Sequence, residues 1–290
     1  MKVRTIKNRH FRAFAKSLAL VAAAAFALSA CAGLNEADET KTNVTEGGTC
    51  VMCDLRYKSY RGLQLNGIDL RGAYLFNTNL ERTSMVGANL ESAVMILTDL
   101  ERSDLTGANL AKANLQRAIL FGATLRGADL TVANLQEANL EAAELTHANL
   151  TTANLSKAIL TDVFANNADM PSAELNHANL INANLRAANL QGANLQGADL
   201  TNANLTLANL GSANLKGANL SGVILNYTNL RGADLTGAKL IGASITGANL
   251  KQASFNKADL TEASMSSVVK AGTDFCGAKM PGGLPGECKK

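Results

Sequence analysis

Four of the five cysteines in this 290-residue chain are spaced so that they could form disulfides, bind a metal or act as redox groups. Cys50 and Cys53 form a Cys-x-x-Cys pair, and Cys276 and Cys288 lie near the other end of the chain. A Cys-x-x-Cys pair is typical of thioredoxin-like redox centres, in which a helix N-terminus activates the thiolate. Three interpretations of Cys50 and Cys53 are open: a redox pair, a structural disulfide or end plug, and free buried thiols.

The histidines add little further chemistry. His147 and His177 are the two that follow the first 30 residues. Neither belongs to a recognisable nucleophile or phosphate-binding motif, and the serines and acidic residues are not tied to a histidine. We expect both to be solvated surface residues. The sequence therefore predicts a protein that is not an enzyme and has no cofactor and no metal site.

A five-residue repeat dominates residues 51–280: a small residue, Asn or Asp, Leu, and two variable residues. Of the 41 units between residues 61 and 265, 34 have Leu at the centre and 32 have Ala two positions before it. A period of five fits neither the 3.6 residues of a helical turn nor the two-residue period of a strand. It predicts a solenoid, in which each unit contacts only its neighbours.

The residues Leu65, Leu70, Leu75 and their successors to Leu260, with Ala and Asn or Asp before most of them, resemble the pentapeptide repeat family. The resemblance implies an all-β fold, a right-handed quadrilateral parallel β-helix with one pentapeptide per side and four per coil. At ~4.8 Å per coil, about 11 coils make a rod on the order of 55 Å long. The resemblance is specific for fold and says little about function, because the repeat encodes a shape rather than a chemistry.

Each unit has an inward and an outward face. Residues two positions apart in an extended segment point the same way, so Leu and the preceding Ala fill the interior while Asn or Asp faces outward. The variable pair turns the corner, where glycines such as Gly122 and Gly127 relieve backbone strain.

The stretch 161–171 departs from this pattern. Ala165 occupies a central Leu position, Phe164 an outward one, and the period resumes at Met170 without a net insertion. We expect a local bulge, in which Phe164 compensates for the missing Leu.

The N-terminal segment has the features of an export signal. Six basic residues precede an apolar run of 13 residues, 18–30, which suits a signal peptide and is short for a bilayer span. The sequence Leu-Ser-Ala-Cys-Ala around Cys31 resembles a bacterial lipobox. That resemblance implies that cleavage precedes Cys31 and that Cys31 carries the lipid. An ordinary cleaved signal peptide and an uncleaved membrane anchor are the alternatives.

The predicted domain organisation has four parts: a removed lipoprotein signal peptide (1–30), a flexible polar tether (31–49), the β-helix (50–280) and a C-terminal tail (281–290). With Cys31 lipidated, an even set of four cysteines in an exported protein suggests two disulfides. The two pairs lie at opposite ends of the rod and cannot share a zinc ion. Ala32 after Cys31 suggests, by resemblance to Gram-negative sorting, an outer-membrane lipoprotein facing the periplasm.

The charge is nearly balanced once the signal peptide is set aside. The whole chain has a formal charge of +3, whereas residues 51–280 contain 18 basic and 19 acidic residues. This excludes a basic footprint for nucleic acid. The near-neutral solenoid also lacks the acidic face of the DNA-mimicking topoisomerase protectors known in the family.

Two sides of the predicted coil stand out when residues are aligned at twenty per coil. One carries a polar ladder of nine outward residues: Asn89, Asn109, Asp129, Asn149, Asp169, Asn189, Asn209, Asn229 and Asn249. We expect the adjacent side to carry a docking face formed by Ile119, Phe121, Ile159 and Ile181, because clustered exposed apolar groups mark interfaces. The alternative is that these residues are neutral variation.

The leading functional hypothesis is a non-enzymatic, lipid-anchored extracytoplasmic protein that acts as an interaction scaffold or structural spacer in the cell envelope. Its expected partners are the membrane, through the N-terminal lipid, and a protein or envelope polymer, without nucleic acid; a homo-oligomer is a further expectation. A DNA-mimicking topoisomerase protector and a Cys-x-x-Cys redox protein are the alternatives.

Overall fold

The computed structural model describes residues 44–283 and 285–288 of the 290. They belong to a compact unit, Asn43–Lys290, whereas the first unit, Met1–Thr42, lies outside the described residues. In the described part there is no helix and no strand longer than one residue. The regular element is a single bridging residue at every fifth position, Thr49 to Lys279, followed by a turn centred two and three residues later. Within this part, no helix is long and apolar enough to cross a bilayer.

Parallel bridges connect each bridging residue to the one twenty positions further on, as in Asn194 to Asn214. A coil therefore contains four pentapeptides and has four sides. Because the period of twenty holds throughout, each outward residue stacks on the equivalent residue of the next coil. The four sides have these bridging residues: side 1, Thr49 to Val269; side 2, Asp54 to Asp274; side 3, Ser59 to Lys279; side 4, Gln64 to Ser264.

The interior is filled by the repeated apolar residues. Ala193 and Leu195 are fully buried, while Asn194 between them is only half-buried on the outside. The same alternation extends along the rod as far as Phe255, whose ring stacks on that of Phe275 at 5.1 Å. Buried Leu-class side chains each stabilise a fold by about 2 kcal/mol before chain entropy is subtracted, so the continuous core holds the coils together.

The corners require a left-handed backbone at their second residue. Of the residues in this conformation, 29 are not glycine, and among them is β-branched Val132 at φ 61°. A left-handed residue other than glycine costs roughly 1–2 kcal/mol, so glycine does not by itself dictate the corner. Stacking between coils imposes the conformation, and glycine is tolerated there at least cost.

The predicted bulge at 161–171 is wrong. Phe164 bridges Glu144 and Asn184 in the ordinary register, and its side chain points outward and is 50% exposed. Ala165 stays in the interior, next to buried Val163. Val163 stands where most units have Ala. Its larger side chain restores interior volume that the missing Leu removes, so the coil keeps its regular geometry here.

The solenoid also begins earlier than predicted. We assigned residues 31–49 to the tether, but Val44 is buried against the core and Gly47 forms a corner at φ 63°. The amide of Gly47 donates to the carbonyl of Asn66 at 2.7 Å, and Thr49 bridges Asp69. The sequence signal is weak here because Thr45 occupies a position that Leu holds elsewhere.

The C-terminal tail folds back on the last coil instead of leaving it. Pro285 forms an antiparallel bridge with Lys279, and the amide of Gly286 donates to the carbonyl of Ala278 at 2.9 Å. The amide of Phe275 donates to the carbonyl of Glu287 at 3.2 Å. These bonds satisfy polar backbone groups that the last coil would otherwise leave without a neighbouring coil.

Candidate interaction surfaces

Both cysteine pairs lie at the ends of the solenoid. Cys50 and Cys53 are joined with their sulfur atoms 2.12 Å apart, and Cys276 and Cys288 with theirs 2.03 Å apart. Cys50 is buried and Cys53 packs against the core, on a corner with no helix among the described residues nearby. The second pair ties the folded-back tail to the last coils. Cys31 lies outside the described residues.

Neither histidine is part of a catalytic or metal-binding arrangement in the described residues. His147 and His177 are exposed, each at the second position of a corner. They follow side 4 and side 2 respectively, so they lie on opposite corners of the coil. In the residues that the structure describes, no group of three or more His, Cys, Asp or Glu side chains could hold a metal ion.

The predicted docking residues lie on side 3 and the corner that follows it. Ile119 and Ile159 are 40% and 39% exposed, whereas Phe121 and Ile181 are half-buried. The guanidinium of Arg102 lies 5.7 Å from the centroid of the Phe121 ring, within the range of a cation–π contact. The docking function of these residues stays a prediction.

The apolar residues of side 3 are not contiguous along the rod. Asn139 bridges both Ile119 and Ile159, so a polar residue separates the two isoleucines. The corner column is likewise interrupted, by Glu141 and Thr161 between the predicted residues. The structure thus places the four residues on one side without bringing them together into a single patch.

Our placement of side 3 beside the polar ladder is wrong. The ladder residues form side 1, and Asn109 precedes Ile119 by ten residues, which is half of a twenty-residue coil. Half a coil of four sides separates opposite sides, not adjacent ones. The two surfaces face in opposite directions and cannot contribute to one flat interface.

The polar ladder of side 1 has an outward Asn or Asp in every coil from 89 to 249, and its side chains hydrogen-bond to one another over residues 169–249. The side-chain amide of Asn209 donates to the side-chain oxygen of Asn189 at 3.2 Å, and Asn229 donates to Asn209 at 2.9 Å. Asn249 donates to Asn229 in turn, at 3.2 Å. Beside this stretch, next to Gly211, lies a recess of about 350 Å³. Polar side chains and glycines line it: Gln191, Asn209, Ser212, Asn229, Arg231, Gly232 and Gln252.

Some of the ion pairs on the outer surface join neighbouring coils. Arg117 Nε lies 2.7 Å from Glu137 Oε2, and Lys279 Nζ lies 2.9 Å from Asp259 Oδ2. Hydrogen bonds from Thr261 and then from Lys279 lower the pKa of Asp259 to about 2. Such partly exposed pairs each contribute at most about 1 kcal/mol to the free energy of unfolding, so they are a minor part of the rod's stability.

A family model for pentapeptide repeats matches most of the solenoid, with eight copies. The matched stretches are residues 61–95, 98–135, 133–170, 172–206, 203–240, 213–252 and 243–282. The chain belongs to the pentapeptide repeat family. Membership implies the right-handed quadrilateral β-helix, whose four sides the bridges trace here; the number of coils stays a prediction. The matched family is one of structural repeats and is not an enzyme family.

Solved structures of other pentapeptide repeat proteins are similar to this chain. HetL, a pentapeptide repeat protein involved in heterocyst differentiation regulation from the cyanobacterium Nostoc sp. strain PCC 7120, is 33% identical, with 81% of this chain and 92% of that chain covered and a TM-score of 0.32. QnrB1, a plasmid-mediated fluoroquinolone resistance protein, is 21% identical, with 56% and 89% covered and a TM-score of 0.37. At TM-scores this low, neither similarity carries an argument about function. No curated protein matches the chain.

A group of surface residues in the first coils of the pentapeptide repeat solenoid was not predicted as a site. Tyr57, Tyr74 and Leu97 are exposed on side 2 and the corner after it. In the sequence, only the run 94–97 signals outward apolar residues. The two tyrosines lie beside this run only when positions twenty apart are aligned, so the linear sequence does not show that these residues form one group.

Proposed function

We propose that this pentapeptide repeat protein is a lipid-anchored extracytoplasmic rod that acts as an interaction scaffold or structural spacer in the cell envelope, without catalysing a reaction. The observation that carries the proposal is the filled interior: Leu and Ala side chains such as Leu195 and Ala193 are fully buried along the rod. The described part of the protein therefore meets other molecules through its outer sides alone. Those sides present stacked columns of side chains at a regular spacing, which suits an extended partner.

The anchor rests on the sequence around Cys31 and on the apolar run 18–30 before it. Under the proposal, signal cleavage leaves Cys31 as the lipidated first residue, and residues 32–43 connect it to the first coil. Because the residue after the cysteine is Ala32, we propose the periplasmic face of the outer membrane as the location.

The two rival functions have less support from charge and geometry. A DNA mimic needs an acidic face in place of phosphates, and the solenoid residues 51–280 hold 18 basic against 19 acidic side chains. A redox centre needs an activated thiolate, whereas Cys50 and Cys53 flank a corner between two sides of the first coil, and the described residues hold no helix whose N-terminus could lower a thiol pKa.

Side 3 is the surface we propose for a protein or polymer partner. Its exposed isoleucines, Ile119 and Ile159, lie two coils apart, or roughly 10 Å at the usual strand spacing. The side-3 residue of the coil between them, Asn139, is polar. A partner that contacts alternate coils would bury the isoleucines and hydrogen-bond to Asn139 between them.

Photo-crosslinking in cells tests this surface. A photoreactive residue at Ile159 should give a discrete adduct, and the same probe at Asn149, in the same coil on opposite side 1, should not. The added substitution Phe121→Lys should remove the adduct, because it places a charge in the interface while leaving the interior untouched. Equal adducts from both probes, or none from Ile159, would contradict the proposed docking side.

A further inference from the structure

Six apolar side chains form one cluster in the first three coils of the solenoid, on side 2 and the corner that follows it. We call this cluster the N-terminal apolar patch. Tyr57 is 68% exposed and Tyr74 and Leu97 are each 38% exposed, and the other three members are half-buried. The members are Tyr57, Tyr74, Phe76, Val94, Ile96 and Leu97.

Two pairs within the patch meet across coils, which the isoleucines of side 3 do not, although exposed Asn77 lies between Tyr57 and Leu97 in the corner column. The rings of Tyr57 and Phe76 meet edge to face with centroids 5.5 Å apart. Tyr74 bridges directly to Val94 in the next coil. A contiguous exposed apolar surface of this kind marks a site of association, whereas scattered apolar residues do not.

The patch has sharp limits. In the next coil its columns continue as Asn114, Gln116 and Arg117, so the apolar character ends within one coil step. Towards the N-terminus the limit is the ion pair of Arg56 and Asp54, whose Nη2 and Oδ2 atoms are 2.6 Å apart. The apolar surface is thus confined to the end of the rod that follows the tether in sequence.

The composition of the patch suits the interface of a lipid bilayer. Tyrosines have an apolar ring with a polar hydroxyl, and aromatic residues of this kind concentrate at the level of the lipid headgroups. Phe76 and the aliphatic members would enter the acyl boundary, and the charged rim of Arg56 and Lys58 would stay in water.

Covalent geometry keeps this end of the rod near the proposed anchor. Cys31 precedes Val44, the first described residue, by 13 positions. A chain extends at most roughly 3.5 Å per residue, so the first coil begins no more than about 45 Å from the lipid. A diacyl anchor therefore gives the patch a high effective concentration relative to the membrane surface, so that even a weak contact between them is populated.

We propose that the N-terminal apolar patch lies against the headgroup interface of the membrane that carries the Cys31 lipid, and so orients the rod on that membrane. The proposal rests on the lipid anchoring proposed above. It gives the first three coils a second, reversible attachment and leaves the remaining coils free to meet a partner.

Tryptophan fluorescence tests the contact, because the natural chain contains no tryptophan. The full-length gene carrying Tyr74→Trp is expressed, and the lipidated protein is incorporated into vesicles of phosphatidylethanolamine and phosphatidylglycerol that contain brominated phosphatidylcholine. The matched control is Asn154→Trp, an outward position on the same side four coils further along. We expect the emission of Trp at 74 to be blue-shifted and several-fold more strongly quenched by bromine than that at 154. Adding Phe76→Glu should reduce the quenching, and Leu97→Trp should repeat the result at a second position.

The remaining outcomes overturn the proposal in distinguishable ways. Protein that floats with the vesicles but shows equal quenching at both positions is anchored without the patch contact. A blue shift at 74 that depends on protein concentration and not on brominated lipid identifies a second copy as the occupant. Protein that does not float with the vesicles lacks the anchor itself, and then the proposed function fails together with the contact.

Discussion

The outward Asn or Asp of each pentapeptide completes the hydrogen bonding of its own backbone. In the unit 194–198, the amides of Asn194, Leu195 and Gly197 donate to neighbouring coils, and that of Ala198 donates to Leu195 within the turn. The remaining amide, of Gln196, donates to the side-chain oxygen of Asn194 at 3.3 Å. Every backbone donor of the unit is thus satisfied, which a buried or half-buried chain requires. An acceptor oxygen at this position supplies the last of these bonds, and Asn and Asp both carry one.

Asn204 offers a direct test of this role. Its side-chain oxygen accepts the Thr206 amide at 3.0 Å. Asn204→Ala removes the acceptor and should lower the free energy of unfolding by about 1 kcal/mol, the usual net value of a hydrogen bond. Asn204→Asp keeps the acceptor and should change it by less than about 0.5 kcal/mol. Urea unfolding measures both, and equal losses in the two variants would show that the acceptor is not what the position supplies.

At the scale of the element, the ends of the rod differ from its middle because a terminal coil has a neighbour on one side only. The C-terminal tail takes the place of the missing neighbour by pairing with the last coil through Gly286 and Pro285. Glycine is required at 286, since a Cβ there would collide with the carbonyl oxygen of Phe275. The Cys276–Cys288 bond then fastens the same segment covalently.

Gly286→Ala should release this cap. In reduced protein, where the disulfide no longer holds the tail, we expect faster hydrogen exchange at the amides of Phe275 and Gly286, which both bond within the cap. Glu287→Ala is the control, because Glu287 is exposed in the same segment and accepts the Phe275 amide through its backbone carbonyl, which the substitution keeps. If exchange at Phe275 is unchanged in Gly286→Ala and matches the control, the tail does not cap the solenoid.

Across the whole molecule, the sequence determines the repeating part of the fold and leaves its exceptions open. The inward Leu and Ala and the coil of twenty follow from the period, because each unit meets an identical neighbour. The compensation of Ala165 by Val163 depends on volumes summed inside one coil, so the predicted bulge was wrong. The N-terminal apolar patch joins three short stretches, at 57, 74–76 and 94–97, that lie about twenty and forty positions apart in the linear sequence. The C-terminal cap forms because the last coil has no following neighbour, and the repeat pattern does not predict how the tail fills that place.

The proposed function depends most on how the rod is attached to the cell. We propose that the mature protein begins at Cys31 and carries lipid there. Mass spectrometry of the protein purified from membranes, with N-terminal peptide analysis, measures this directly. We expect a first peptide that starts at Cys31 and bears a thioether-linked diacylglycerol, and we expect Cys31→Ser to abolish that modification. A mature chain with an unmodified Cys31, or one that begins at any other residue, would contradict the proposed lipid anchor.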